Sequence, residues 1–153
     1  MVRRPTDMDR TGWALARWRT RAHDVRFLYR PPPSPVWNRR LTVCDTDWLD
    51  VAELVWQVCD DCRRGRINKI SIAVEYQRQG LGRRLVRRAW RDGPDQTWTT
   101  TSQSPEAQRF FPVITAETGA AFTPHGGGCP HFTADSQLSA SVPRPPARLD
   151  LAP

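Results

Sequence analysis

Lysine is nearly missing from this chain: Lys69 stands alone among 23 basic residues, and arginine supplies the rest. That bias suggests a GC-rich genome rather than a particular chemistry. No apolar run reaches the roughly 20 residues that a membrane-crossing helix requires, and no apolar signal-peptide core follows the first residues. The expectation is a cytoplasmic protein that makes no membrane contact. Internal repeats are absent as well, which excludes stacked-repeat architectures. The arginines are spread along the chain, without the basic tract and interleaved aromatics that nucleic-acid binding favours. The net charge of +7 therefore has three explanations. Solubility comes first, a polyanionic small ligand second and nucleic acid third.

What is present fits one domain with one core: 153 residues, 39% of them hydrophobic, with seven tryptophans. Residues 1–38 form a poorly patterned leader, in which Trp13, Leu15, Trp18 and Ala22 could line a short helix between Asp9 and His23. Pro31, Pro32, Pro33 and Pro35 end any regular element there. Residues 39–134 carry the patterned domain, and 135–153, polar and proline-rich, read as a disordered tail.

Within the domain, 39–44 reads as a short strand. The run 51–58 is ambiguous between helix and strand. Strand is preferred because it leads through the tight turn Cys59-Asp60-Asp61-Cys62 into a second strand at 66–75, making a hairpin. Leu81, Leu85, Ala89 and Trp90 recur at helical spacing, with Arg83, Arg84, Arg87 and Arg91 on the outer side. This helix, 81–92, is stopped by Asp92-Gly93-Pro94. Thr97 to Thr101 is rich in β-branched residues and reads as the next strand. Ser104-Pro105-Glu106 starts a second helix, which Gly119 closes at about Thr118.

The sharpest local signal joins the alternating run Ile70-Ser71-Ile72-Ala73-Val74 to a basic, glycine-containing turn and a helix start. Gly80 and Gly82 let the backbone turn its N–H groups toward one point. An anion the size of a phosphate could sit there, favoured by the helix N-terminus. The alternative is an ordinary strand-to-helix turn with solvated arginines.

Gln77-Arg78-Gln79-Gly80-Leu81-Gly82 resembles the Gln/Arg-x-x-Gly-x-Gly/Ala motif of the GNAT superfamily of acyl-CoA N-acetyltransferases. Ala107-Gln108-Arg109-Phe110-Phe111, followed by Gly119-Ala120-Ala121-Phe122, is similar to that family's second motif. The resemblance covers roughly residues 50–123, including the order hairpin, turn, helix, strand, helix. It implies an α/β fold with a GNAT-like mixed central sheet flanked by helices, in a single domain. It also implies acetyl-CoA as cofactor, held by Gln77, Arg78, Gln79, Gly80, Leu81, Gly82 and Arg83, with the pantetheine arm lying along Ile72, Ala73 and Val74. The activity implied is acetyl transfer to a primary amine of a small molecule or protein, by direct attack on the thioester. Such transfer needs alignment, removal of an ammonium proton and protonation of the leaving thiolate. Backbone N–H groups near Val74 could stabilise the oxyanion.

The family commonly draws its acid from a tyrosine of the second motif, where this chain has Phe111. Tyr76 is the only nearby phenol, with packing on the turn as its alternative role. Glu75 is the best-placed base, with an ordinary solvated carboxylate as its alternative. Two other functions stay open: a non-catalytic acyl-CoA-binding module, which Phe111 favours, and a small basic zinc-containing nucleic-acid-binding protein. A homodimer is compatible with the reading.

Cys59 and Cys62, with Gly65 after them, have the spacing of a zinc knuckle, and Cys129-Pro130-His131 offers a second pair. Together they make a Cys3His set, which Gly126, Gly127 and Gly128 would let fold back to the hairpin tip. In the family's arrangement that tip lies at the opposite end of the strand from the phosphate turn, so a zinc there would be structural. Zinc is preferred to a redox pair, a disulfide or unligated thiols, since a cytoplasmic setting disfavours disulfides. Cys44 reads as a small buried apolar residue. His23 and His125 read as surface residues.

Overall fold

The computed structural model describes residues 14–19, 23–126 and 128–132. Among these residues seven strands form one sheet in chain order. They are β1 Ala14–Arg19, β2 Asp24–Arg30, β3 Arg39–Cys44, β4 Asp50–Cys59, β5 Arg64–Ile72, β6 Thr97–Thr100 and β7 Thr123–Pro124. The first five pair antiparallel. β6 and β7 add in parallel. Helix α1 (Leu81–Trp90) crosses from β5 to β6, and α2 (Pro105–Thr118) from β6 to β7. This is a mixed α/β sheet with helices in its parallel crossovers, the fold class expected from sequence. No helix among the described residues is long and apolar enough to cross a membrane.

β4 is the ambiguous run, and its place explains the ambiguity. A strand between two others whose side chains are buried on both faces loses the polar alternation of a half-exposed one. Leu54, Val55, Trp56, Gln57, Val58 and Cys59 are all buried. Leu81, Leu85, Val86 and Ala89 of α1 complete this core with Trp98 of β6, Phe111 and Ile114 of α2, and Phe122.

Two expectations about the leader change. Residues 14–19 are a strand rather than part of a helix, because β2 offers a hydrogen-bonding partner along its whole length. Positions 9–13 and 20–22 of that expected helix lie outside the described residues, as does the 135–153 tail. Residues 24–30 are a strand too, with Val25, Phe27 and Tyr29 buried on the core side. On α1, Arg84 is not on the outer face as expected. It is half-buried with its guanidinium 5.4 Å from the Phe27 ring centroid, and burial lowers its pKa first, the charge of Arg91 second.

The parallel half of the sheet opens partway along. β5 and β6 pair from Arg64↔Thr97 to Ile67↔Thr100 and no further, while β5 runs on to Ile72. The opening begins at a bulge. Register against β4 passes from Val55↔Lys69 to Trp56↔Ile67, leaving Asn68 without an opposite residue. The Asn68 side chain donates to Asn38 Oδ1 at 2.8 Å and Gln57 Oε1 at 2.7 Å, and its carbonyl accepts from Thr101 Oγ1 at 3.1 Å. Beyond the bulge no strand among the described residues pairs with β5 on the β6 side, and we term this open stretch of β5 its cleft edge.

Candidate functional site

The cleft edge can be read from hydrogen-bond alternation. Ala73 N–H donates to Val51 O of β4 at 2.8 Å. Backbone groups of successive residues point to opposite sides of a strand, so those of Ile70 and Ile72 point away from β4, toward the side β6 has left. β5 stops at Ile72, three residues before the end expected from sequence. Val74 opens a 3-10 turn, Val74–Tyr76, and is 78% exposed. Of the residues expected to carry an extended arm, Ile72 is therefore the last residue of the strand, while Ala73 and Val74 lead into the turn. The N–H groups of Val74 and Glu75 precede the turn's first bond, Tyr76 N–H to Ala73 O at 2.9 Å.

Past this turn the chain reverses through two left-handed residues, Arg78 at φ 58° and Gly80 at φ 83°. Glycine adopts that conformation without the cost a Cβ brings. Gly80 is the N-cap of α1 and no side chain caps the helix. The first helical backbone bond is Arg84 N–H to Gly80 O at 3.1 Å, so the amides of Leu81, Gly82 and Arg83 have no helical acceptor. They lie where the sequence leads one to expect an anion cradle.

The other expected cradle residues divide by what they touch. Gln77 Nε2 donates to Ile72 O at 2.9 Å and Gln79 Nε2 to Glu75 O at 2.7 Å, so both glutamines brace the turn from within. Gln79 Oε1 is buried with no partner among the described residues. Gly82 is needed for packing: a Cβ there would stand 3.2 Å from Ile72 Cδ1 and 3.4 Å from the Phe110 ring. It lets α1 approach β5 and α2. Arg83 Nε lies 2.9 Å from Glu117 Oε1 and Arg87 Nη2 3.1 Å from Glu117 Oε2, which tie α1 to α2. Arg78 is exposed beside the cradle.

Of the catalytic candidates, Phe111 is 3% exposed, its ring 5.5 Å from that of Phe122 and 5.3 Å from Phe110. That position is core, and a phenylalanine there has no proton to give. Tyr76 sits at the cleft end of β5 with its ring 4.4 Å from His23, which is half-buried against it rather than solitary at the surface. Loss of water, then the carboxylates of Asp45, Glu75 and Asp47, raise the Tyr76 phenol above its ordinary 10. Glu75 is exposed next to it. Sequence reasoning passed over the β3–β4 loop, where Asp45 Oδ1 accepts from the N–H groups of Asp47 and Leu49, both at 2.9 Å. Its signal was the spacing Asp45, Asp47, Asp50.

At the other end of β5 all four metal candidates meet. Their ligand atoms, the sulfurs of Cys59, Cys62 and Cys129 and a ring nitrogen of His131, lie within 4.8 Å of one another. His131 Nδ1 is 3.4 Å from Cys59 Sγ, 3.3 Å from Cys62 Sγ and 3.9 Å from Cys129 Sγ. The Cys62 thiol is pushed up to about 11, by loss of water first and then by hydrogen bonds and charge from Cys59 and Cys129. Three thiolates do not share this space without a cation. Cys44 is buried at the far end of β4 beside Asp50, and His125 is exposed.

No family model and no curated protein matches the chain. Among solved structures it is similar to a protein of Deinococcus radiodurans R1 described as an acetyltransferase, at 14% identity and a TM-score of 0.45, over 69% of this chain and 67% of that one. It is similar to the xEco2 acetyltransferase domain, solved with a CoA conjugate, at 12% identity and a TM-score of 0.44, over 64% and 73%. Nourseothricin acetyltransferase is a third, at 18% identity and a TM-score of 0.34, over 60% and 63%. Each likeness is partial, and no activity passes to this chain through it.

Proposed function

We propose that this chain binds acetyl-CoA along the cleft edge of β5 and transfers the acetyl group to a primary amine. One observation carries the reading: β5 outruns β6 and leads directly into a turn whose first helical amides have no backbone acceptor. A ligand with an extended, amide-bearing arm can add to such an edge as a strand would. Its pyrophosphate would then reach the α1 N-terminus, where aligned amides and the helix dipole favour negative charge. Coenzyme A has both parts, joined in that order.

With the thioester at the cleft end of β5, the amine nitrogen attacks the carbonyl carbon, the C–N bond forms and the C–S bond breaks. The N–H groups of Val74 and Glu75 are placed to receive the developing oxyanion. The Glu75 carboxylate would take the ammonium proton, and the Tyr76 phenol would give one to the departing thiolate. Loss of water first, and then the negative field of Asp45, Glu75 and Asp47, keep Tyr76 protonated, and that field suits a cationic acceptor. The four-residue metal cluster takes no part, since it lies at the other end of β5.

The burial of Phe111 in the core favours a second reading, an acyl-CoA-binding module without transferase activity. The two separate in one assay, release of CoA thiol from acetyl-CoA in the presence of a panel of primary amines. Amine-dependent release supports transfer. Saturable binding with no release under any amine supports the second reading, and absence of binding ends both.

A further inference from the structure

We propose that Cys59, Cys62, Cys129 and His131 hold one zinc ion, through three thiolates and His131 Nδ1, and that this ion clasps the 129–132 turn to the β4–β5 hairpin. The proposal is independent of the acetyl-transfer reading. In a tetrahedral site with sulfur about 2.3 Å and nitrogen about 2.0 Å from zinc, sulfur and nitrogen stand about 3.5 Å apart. The three distances of 3.4, 3.3 and 3.9 Å from Nδ1 to sulfur bracket that value.

Local structure on both sides builds the geometry. Cys59 ends β4, and the reversal after it brings the Cys62 amide to 3.5 Å from Cys59 Sγ, a donor aimed at the sulfur. On the other side, Phe132 N–H donates to Cys129 O at 3.0 Å. That is a turn with Pro130 at its second position, which folds His131 back over Cys129. The approach depends on small residues: a Cβ on Gly126 would collide with the Thr99 side chain, and one on Gly128 would stand 3.1 Å from Arg66 Nη1. Arg66 thus stands against Gly128, the residue before the ligand Cys129.

Three soft thiolates, one imidazole and no carboxylate in the set select zinc over magnesium or calcium. Four protein ligands close the coordination sphere, so the ion activates no water and serves structure. Before that turn, β7 pairs with β6 through two residues, Thr123 and Pro124, among the described residues.

The test uses the full chain, purified under reducing conditions, with zinc content and cobalt(II) substitution as readouts. One zinc per chain is expected, and cobalt should give the intense thiolate-to-metal absorption of a tetrahedral site. Cys62→Ser should weaken that absorption, and Cys44→Ser, altering a buried thiol at the other end of β4, should leave it intact. Chelation should speed amide exchange across 123–132 severalfold. Folded wild-type protein that holds neither zinc nor tetrahedral cobalt would overturn the proposal, even if Cys62→Ser fails to fold. Loss of the cobalt spectrum in Cys44→Ser with its retention in Cys62→Ser would do the same. Unchanged exchange across 123–132 after chelation would overturn the clasp.

Discussion

Gly65 lies directly beneath the indole of Trp98, close enough that a Cβ on Gly65 would stand 2.6 Å from ring carbons Cδ2 and Cε2. The two residues are register partners across β5 and β6. The indole cannot swing aside freely, because Trp98 Nε1 donates to Gly93 O at 2.8 Å in a buried bond. Gly65→Ala should therefore cost about 1–3 kcal/mol, the usual penalty of overpacking a filled core. Urea denaturation measures it, and an unchanged midpoint would show that the indole repacks without strain.

Asp92 gathers three donors just past the end of α1. Its Oδ1 takes the buried Arg88 guanidinium at 2.7 Å, and its Oδ2 takes Arg39 Nε at 3.2 Å and Trp56 Nε1 at 2.9 Å. Arg88 also stacks over Tyr29, 4.6 Å from the ring centroid. Asp92→Asn leaves Arg88 buried without its counter-charge, and a broken buried pair costs about 3–5 kcal/mol. The predicted fall in stability is several times that of Glu117→Gln, whose partners Arg83 and Arg87 are about half exposed. Comparable losses from both variants would contradict the ranking.

Arg78 combines a left-handed backbone with a charge beside the anion cradle, so Arg78→Gly separates the two. Glycine relieves a conformation costing about 1 kcal/mol, so thermal stability should hold or rise. Affinity for acetyl-CoA should fall about tenfold, the scale of one charge-assisted contact. A variant that binds acetyl-CoA like the wild type would remove Arg78 from the cofactor site.

Tyr76 carries the pH prediction. Its phenol is raised above 10, so it stays protonated through neutral pH and loses its proton only as pH climbs past that value. Turnover should therefore hold to about pH 10, from the ordinary phenol value, and fall above it. In Tyr76→Phe, kcat should drop about 100-fold, within the range of a lost general acid, with KM for acetyl-CoA little changed. An equal fall in stability and in acetyl-CoA affinity would instead mark Tyr76 as packing against His23.

What the sequence conveyed followed the range of each signal. The hairpin, the glycine turn and the two helices rest on local patterns, and all of them stand in the fold. The metal set was legible because each half, Cys59 with Cys62 and Cys129 with His131, is a short motif and the topology brings the halves together. β2 was passed over although Val25, Phe27 and Tyr29 alternate with Arg26 and Arg30; the prolines after it drew the boundary too late. β1 carries no such pattern and exists through its pairing with β2. The turn motif marked the strand-to-helix turn but not what each of its side chains touches. That Gln77 and Gln79 brace it, and that Gly82 faces Ile72 and Phe110, depends on tertiary contacts no spacing encodes. For the same reason Gly82→Asp is a poor probe of the cofactor: it would drive a carboxylate between apolar side chains and unsettle the fold itself.

Calorimetric titration of acetyl-CoA into the folded full chain tests the central claim most directly. Binding at the cleft edge and cradle predicts one saturable site per chain, weakened about tenfold in Arg78→Gly and unaffected by acetate as competitor. No detectable heat at millimolar acetyl-CoA, from protein shown to be folded, would contradict it.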